Sequence, residues 1–112
     1  MKKLDKTLHP PQYGLIGYPI EHSFSPDYFN SFFQREGLPF SYARFELEHI
    51  SELPQLLKEV PELVGLNVTL PYKQAVLDHV HELSPEVKAL GASNVLKITR
   101  SASGLPHLKA YN

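Results

Sequence analysis

The chain has 112 residues, 42% of them hydrophobic, which is enough to enclose one core and too few for two domains of ordinary size. Eleven basic against twelve acidic side chains, with a pI near 6.6, exclude a broad electrostatic attraction to nucleic-acid phosphates or anionic lipid. The absence of cysteine rules out disulfides, thiolate nucleophiles and thiolate metal sites. It fits a reducing compartment, and the start Met1-Lys2-Lys3-Leu4-Asp5-Lys6 lacks the apolar stretch of a secretion signal. No apolar run approaches a membrane span, so a cytoplasmic location is expected.

Residues 1–12 are charged, then proline-rich at Pro10-Pro11, and read as a loose arm before a domain over residues 13–112. Tyr13-Gly14-Leu15-Ile16-Gly17 suits a strand buried on both faces. Ser25 followed by Pro26 reads as an N-cap with proline at the first helical position. Tyr28, Phe29, Phe32 and Phe33 then make one apolar stripe up to Gly37, and with Phe24 they read as core packing rather than a ligand platform. Ser41 to Phe45 alternates as a second strand, and Ser51 caps a helix with Leu53, Leu56, Leu57 and Val60 on one face. Val64-Gly65-Leu66-Asn67-Val68 is a third buried strand. Pro71 introduces a predicted helix carrying Tyr72, Val76, Leu77 and Val80. Ser84-Pro85-Glu86 opens a short helix that Gly91 ends. Asn94–Thr99 and Leu108–Tyr111 form a hairpin around Ser101-Ala102-Ser103-Gly104. The fold class is therefore α/β, a three-layer αβα sandwich on a mixed, mostly parallel sheet.

Two polar strings follow strands, His22-Ser23-Phe24-Ser25-Pro26 and Asn67-Val68-Thr69-Leu70-Pro71-Tyr72-Lys73. In open α/β sheets ligands sit beyond the carboxyl ends of strands, so the strings point to a small, oxygen-rich ligand. Strand alternation turns Asn67 and Thr69 the same way and sends Val68 and Leu70 inward. Lys73 falls on the first turn of the predicted helix, where the positive end of the dipole favours the free amine and general acid–base work; a plain surface lysine is the competing reading. Ser25 as cap stands beside free N–H groups that suit a carboxylate, with simple helix capping as its alternative. His22 reads as an orienting, structural residue. The six histidines show no metal-ligand spacing, and no Gly-x-Gly-x-x-Gly follows a strand.

With Gly91-Ala92-Ser93-Asn94 added to Gly17–Pro26 and Gly65–Lys73, the chain resembles the N-terminal substrate-binding domain of shikimate dehydrogenase over residues 13–112. The resemblance implies that Ser23 and Ser25 hold the shikimate carboxylate. Thr69, Lys73 and Asn94 would contact the ring hydroxyls, Lys73 would be the catalytic lysine, and Asn67 would support the rim. It further implies reversible, NADP-dependent reduction of 3-dehydroshikimate in aromatic amino-acid biosynthesis, with NADP bound by a downstream Rossmann domain absent from these residues. Val95 and Ala110 replace the family's usual threonine and glycine, and the family's Thr-Asp, whose aspartate partners the lysine, would follow Asn112. A fragment without dehydrogenase activity is expected, self-associating through its bare interdomain face. A quinate/shikimate dehydrogenase domain and a stand-alone, non-catalytic binding module are the alternatives.

Overall fold

The computed structural model describes residues 10–112. Its elements run β1 (Gln12–Gly17), α1 (Ser25–Arg35), β2 (Ser41–Glu46), a 3₁₀ turn (Ile50–Glu52), α2 (Leu53–Glu59) and β3 (Leu63–Val68). A second 3₁₀ segment (Ala75–His79), β4 (Glu82–Leu83), α3 (Pro85–Leu90), β5 (Val95–Arg100) and β6 (Pro106–Tyr111) complete the chain. The arm expected over residues 1–12 lies mostly outside the described residues, and Gln12 already pairs with Ser41 and Leu63 in β1.

All strands join one 6-stranded sheet in the order β2-β1-β3-β5-β6-β4. β1 runs parallel to β2 and to β3, while β5 is antiparallel to both β3 and β6. The short β4, which the sequence pattern does not reveal, pairs parallel with β6. This order places three chain segments together. The carboxyl ends of β1 and β3 lie side by side, and β5, being antiparallel, begins at that same end, with Val95 opposite Asn67.

One sheet face carries the main core. Ile16, Leu66, Val68, Leu96, Ile98 and Leu108 pack there against Leu53, Leu56 and Leu57 of α2, Val76 and Val87. Burying each such aliphatic side chain is worth about 1.5–3 kcal/mol, so this face dominates the stability. The other face is covered by α1, whose Phe29 and Phe33 lie on Tyr13, Leu15 and Tyr42. The layers are thus αβα, as the sequence pattern predicts. Of the aromatic set expected in the core only Phe29 and Phe33 are core, however, because Phe24, Tyr28 and Phe32 are exposed.

Three local expectations fail for identifiable reasons. Pro71 starts no α-helix: the Lys73 carbonyl accepts from Ser93 N–H at 2.8 Å instead of from a helical neighbour, and Leu77 N–H turns to Gln74 at 3.1 Å. The chain therefore makes turns and a 3₁₀ segment there. Ser51 caps nothing; His49 and Glu52 form a reciprocal capping box around the preceding 3₁₀ turn. Leu70 faces outward and is 70% exposed, because β3 ends at Val68 and strand alternation stops before it reaches Leu70.

Candidate active site

The loop after β1 is held from the edge strand. Glu46 Oε2 accepts from Ile20 N–H at 2.9 Å, and the Arg44 guanidinium donates to the Ser23 carbonyl at 3.1 Å. Ser23 Oγ in turn accepts from Ser25 N–H at 3.3 Å. Ser25 is not the cap of α1: Phe24 already has helical angles and stands at the N-cap without a side-chain cap bond. The Ser25 hydroxyl is thereby free of capping duty and lies against the Tyr42 phenol.

The loop after β3 is tied to the first one. Thr69 N–H donates to the Ile16 carbonyl at 3.0 Å, and Tyr18 N–H to the Leu70 carbonyl at 3.1 Å. Gly17 permits this approach, since a Cβ there would collide with Thr69 Cγ2 and come within 2.9 Å of the Leu70 carbonyl oxygen. The segment before β5 supplies the third wall. Buried Ser93 bonds the Tyr111 carbonyl through its hydroxyl at 2.8 Å, while its N–H fixes the Lys73 backbone. Asn94 is locked by Val68 N–H at 2.8 Å on its carbonyl and by its own N–H on the Tyr111 carbonyl at 3.1 Å.

These three segments enclose a cavity of about 420 Å³ lined by Ser23, Ser25, Asn67, Thr69, Lys73 and Asn94 around an apolar floor of Leu15, Ile20 and Val68. All the polar residues singled out in the sequence thus meet at one place. The buried Oδ1 of Asn94 has no hydrogen-bond partner among the described residues. Such an oxygen is costly unless a donor from a ligand or solvent reaches it. Asn67 accepts the Tyr42 hydroxyl on Oδ1 at 2.7 Å. Asn67 itself lines the cavity. The wall offers three hydroxyls, an amine and two amides above an aliphatic floor. That arrangement suits a carboxylated ring bearing several hydroxyls.

Two sequence expectations about this site are corrected. Lys73 sits in a turn rather than on the first turn of an α-helix, so no helix dipole acts on its amine. His22 lines the cavity with a side chain 96% exposed and only the Glu21 carboxylate, at 3.9 Å, beside it, so burial does not support a structural role. The sequence reading also missed Tyr42, Arg44, Glu46 and Ser93. The first three stand at every second position of β2, on the face opposite Ala43 and Phe45. That polar alternation, with its supporting bonds on the site loop and Asn67, was the available signal.

A family model described as the shikimate dehydrogenase substrate binding domain matches residues 15–96. An NADP(+)-dependent shikimate dehydrogenase of Syntrophomonas wolfei is 42% identical over 101 residues, covering 88% of this chain and 33% of that protein. Among solved structures, the dehydroquinate dehydratase and shikimate dehydrogenase unit of S. pombe AroM superposes with a TM-score of 0.82 at 35% identity, over 92% of this chain and 19% of that one. The Listeria monocytogenes shikimate 5-dehydrogenase, in complex with shikimate and NAD, gives a TM-score of 0.73 at 32% identity, over 91% and 34%. The chain spans about a third of the length of the single-activity relatives it matches.

Proposed function

This chain belongs to the shikimate dehydrogenase substrate-binding domain family, and on that premise we propose that its cavity binds shikimate and 3-dehydroshikimate for NADP-dependent interconversion in aromatic amino-acid biosynthesis. The observation that carries the reading is the convergence of Ser23, Ser25, Asn67, Thr69, Lys73 and Asn94 on one cavity from three separate segments. Ser23 and Ser25 hold the carboxylate, and Thr69, Lys73 and Asn94 hold the ring hydroxyls. Asn94 Oδ1 accepts a hydroxyl proton there, which satisfies its buried lone pairs.

In the reductive direction the ketone carbon receives hydride while its oxygen receives a proton, leaving a secondary alcohol. Lys73, at the cavity wall, is the group of this chain that supplies that proton and takes it back in oxidation. The hydride comes from NADPH. The reading that the cofactor is held outside these residues is supported by the NADP(+)-dependent relatives, of which this chain covers about a third. Among the described residues no helix is long and apolar enough to cross a membrane. A cytoplasmic setting is proposed with the function, supported by the absence of cysteine.

Titration of shikimate into the ¹⁵N-labelled chain tests the assignment. Amide shifts centred on Ser23, Thr69, Lys73 and Asn94 are expected, and shifts confined elsewhere would overturn it. Lys73→Ala, which removes a charged hydrogen-bond donor, should weaken shikimate about tenfold to a hundredfold. Quinate titrated in parallel measures how far the wall tolerates one more hydroxyl.

We infer in addition that the chain by itself self-associates. An apolar groove of about 610 Å³ runs along the α1 side of the sheet, between Phe32 and Phe33 of α1 and Val95 and Lys97 of β5. Phe32 and Val95 both leave more than a third of their surface exposed beside it.

A further inference from the structure

The Tyr42 side chain reaches from edge strand β2 across β1 to Asn67 on β3, and every part of it is held. Its backbone is clamped by one side chain of α1: Asn30 Nδ2 donates to the Tyr42 carbonyl at 2.8 Å, and Asn30 Oδ1 accepts from Tyr42 N–H at 2.9 Å. An edge strand has no further neighbour to satisfy these groups, so the asparagine amide stands in for one. The Tyr42 ring stacks on Phe29 with centroids 4.7 Å apart, and the residue is only 5% exposed. The hydroxyl at the end of this rigid arm donates to Asn67 Oδ1 at 2.7 Å. Burial pushes the phenol up to about 12, with nearby Ser25 drawing it partly back. It therefore stays a donor throughout the neutral range.

An asparagine amide on a cavity wall can turn either edge to a ligand, and the two edges have opposite hydrogen-bonding character. We propose that Tyr42 is a positioning residue that fixes Asn67 with its oxygen turned away from the cavity and its two N–H donors turned toward bound substrate. The role rests on the proposed shikimate site but acts before any ligand arrives. Substrate then meets a preset donor pair and does not have to order a rotating amide, which is where the gain in affinity arises. The chain of support runs from Asn30 to the Tyr42 backbone, through its hydroxyl to Asn67, and so links α1 to a wall formed by β3.

Two measurements on the ¹⁵N-labelled chain decide the matter. In the unmodified protein the Asn67 side-chain NH₂ should give two distinct resonances with a rigid order parameter, and Tyr42→Phe should mobilise that amide while leaving distant backbone amides in place. A mobile Asn67 amide in the unmodified chain, or an unaltered one in Tyr42→Phe, overturns the proposal. Tyr42→Phe should also weaken shikimate about fivefold to tenfold, the scale of one hydrogen bond. In an Asn67→Ala background the same change should have no further effect, whereas additive losses would show that Tyr42 acts on substrate by another route. If the amide is rigid as expected and shikimate produces no shifts at all, the substrate assignment fails while the positioning role of Tyr42 stands.

Discussion

Gly17 is the residue on which the cavity's closure depends, because the loops after β1 and β3 approach each other where its side chain would be. Its replacement by alanine forces a methyl group against Thr69 Cγ2, Ile20 and the Leu70 carbonyl. Overpacking of this kind costs about 1–3 kcal/mol. Gly17→Ala should therefore lower the unfolding free energy by that amount, read as a lower urea midpoint, and shikimate affinity should fall with it because Thr69 is displaced. An unchanged midpoint would mean the two loops are not in register as described. The cavity residues themselves were legible in the sequence, since Ser23, Ser25, Thr69 and Lys73 lie in the two polar strings that follow β1 and β3. Tyr42 and Ser93 were not. Their partners, Asn67 and the Tyr111 carbonyl, are 25 and 18 residues distant, and only the strand order brings them within hydrogen-bond range.

At the scale of elements, α2 and β3 are joined by a turn whose exposed carbonyls are gathered by a single side chain from β5. Arg100 donates to the carbonyls of Leu57 and Val60 at 3.2 Å each and of Leu63 at 2.7 Å. A guanidinium at a helix C-terminus satisfies acceptors that the helix leaves free and meets the negative end of its dipole. Burial lowers the guanidinium pKa, opposed by nearby Glu62, yet arginine's ordinary value is high enough that it remains charged. Arg100→Ala should cost about 1.5–3 kcal/mol, the range for hydrogen bonds to charged groups, with Arg100→Lys recovering part of it. Thermal unfolding monitored by circular dichroism checks this, and a variant as stable as the parent would deny the cap. The strands other than β4 and the helices α1 and α2 were readable from apolar patterning because burial writes its period into the sequence, and α3 was readable from its Ser84-Pro85 start and Gly91 stop. The segment after Pro71 misled because it carries a helical apolar pattern at Tyr72, Val76 and Leu77. There Ser93 takes the Lys73 carbonyl, and the Tyr72 hydroxyl is drawn to the Leu47 carbonyl, so long-range hydrogen bonds override the local preference.

Across the whole molecule, the strand order explains both the cavity and the groove. Placing β5 antiparallel beside β3 brings Asn94 to the carboxyl ends of β1 and β3, but it also widens the sheet beyond what α1 can cover. α1 lies over β1 and β2, while the same face of β3 and β5 is left with Phe32, Phe33, Phe40 and Val95 around a groove about 610 Å³ in volume. Exposed apolar side chains gathered in one groove offer a surface that a second copy of the chain can cover. Light scattering of the 112-residue chain should therefore show a mass that rises with concentration, and Phe32→Glu should return it to the monomer by placing a charge in the groove. The shikimate-induced shifts at Ser23, Thr69 and Lys73 should survive that substitution, because none of those residues lines the groove. Asn67 is common to both linings, so its amide reports whether the two regions communicate. A chain that stays monomeric at every concentration would show that the half-open face tolerates water, and self-association would then be excluded.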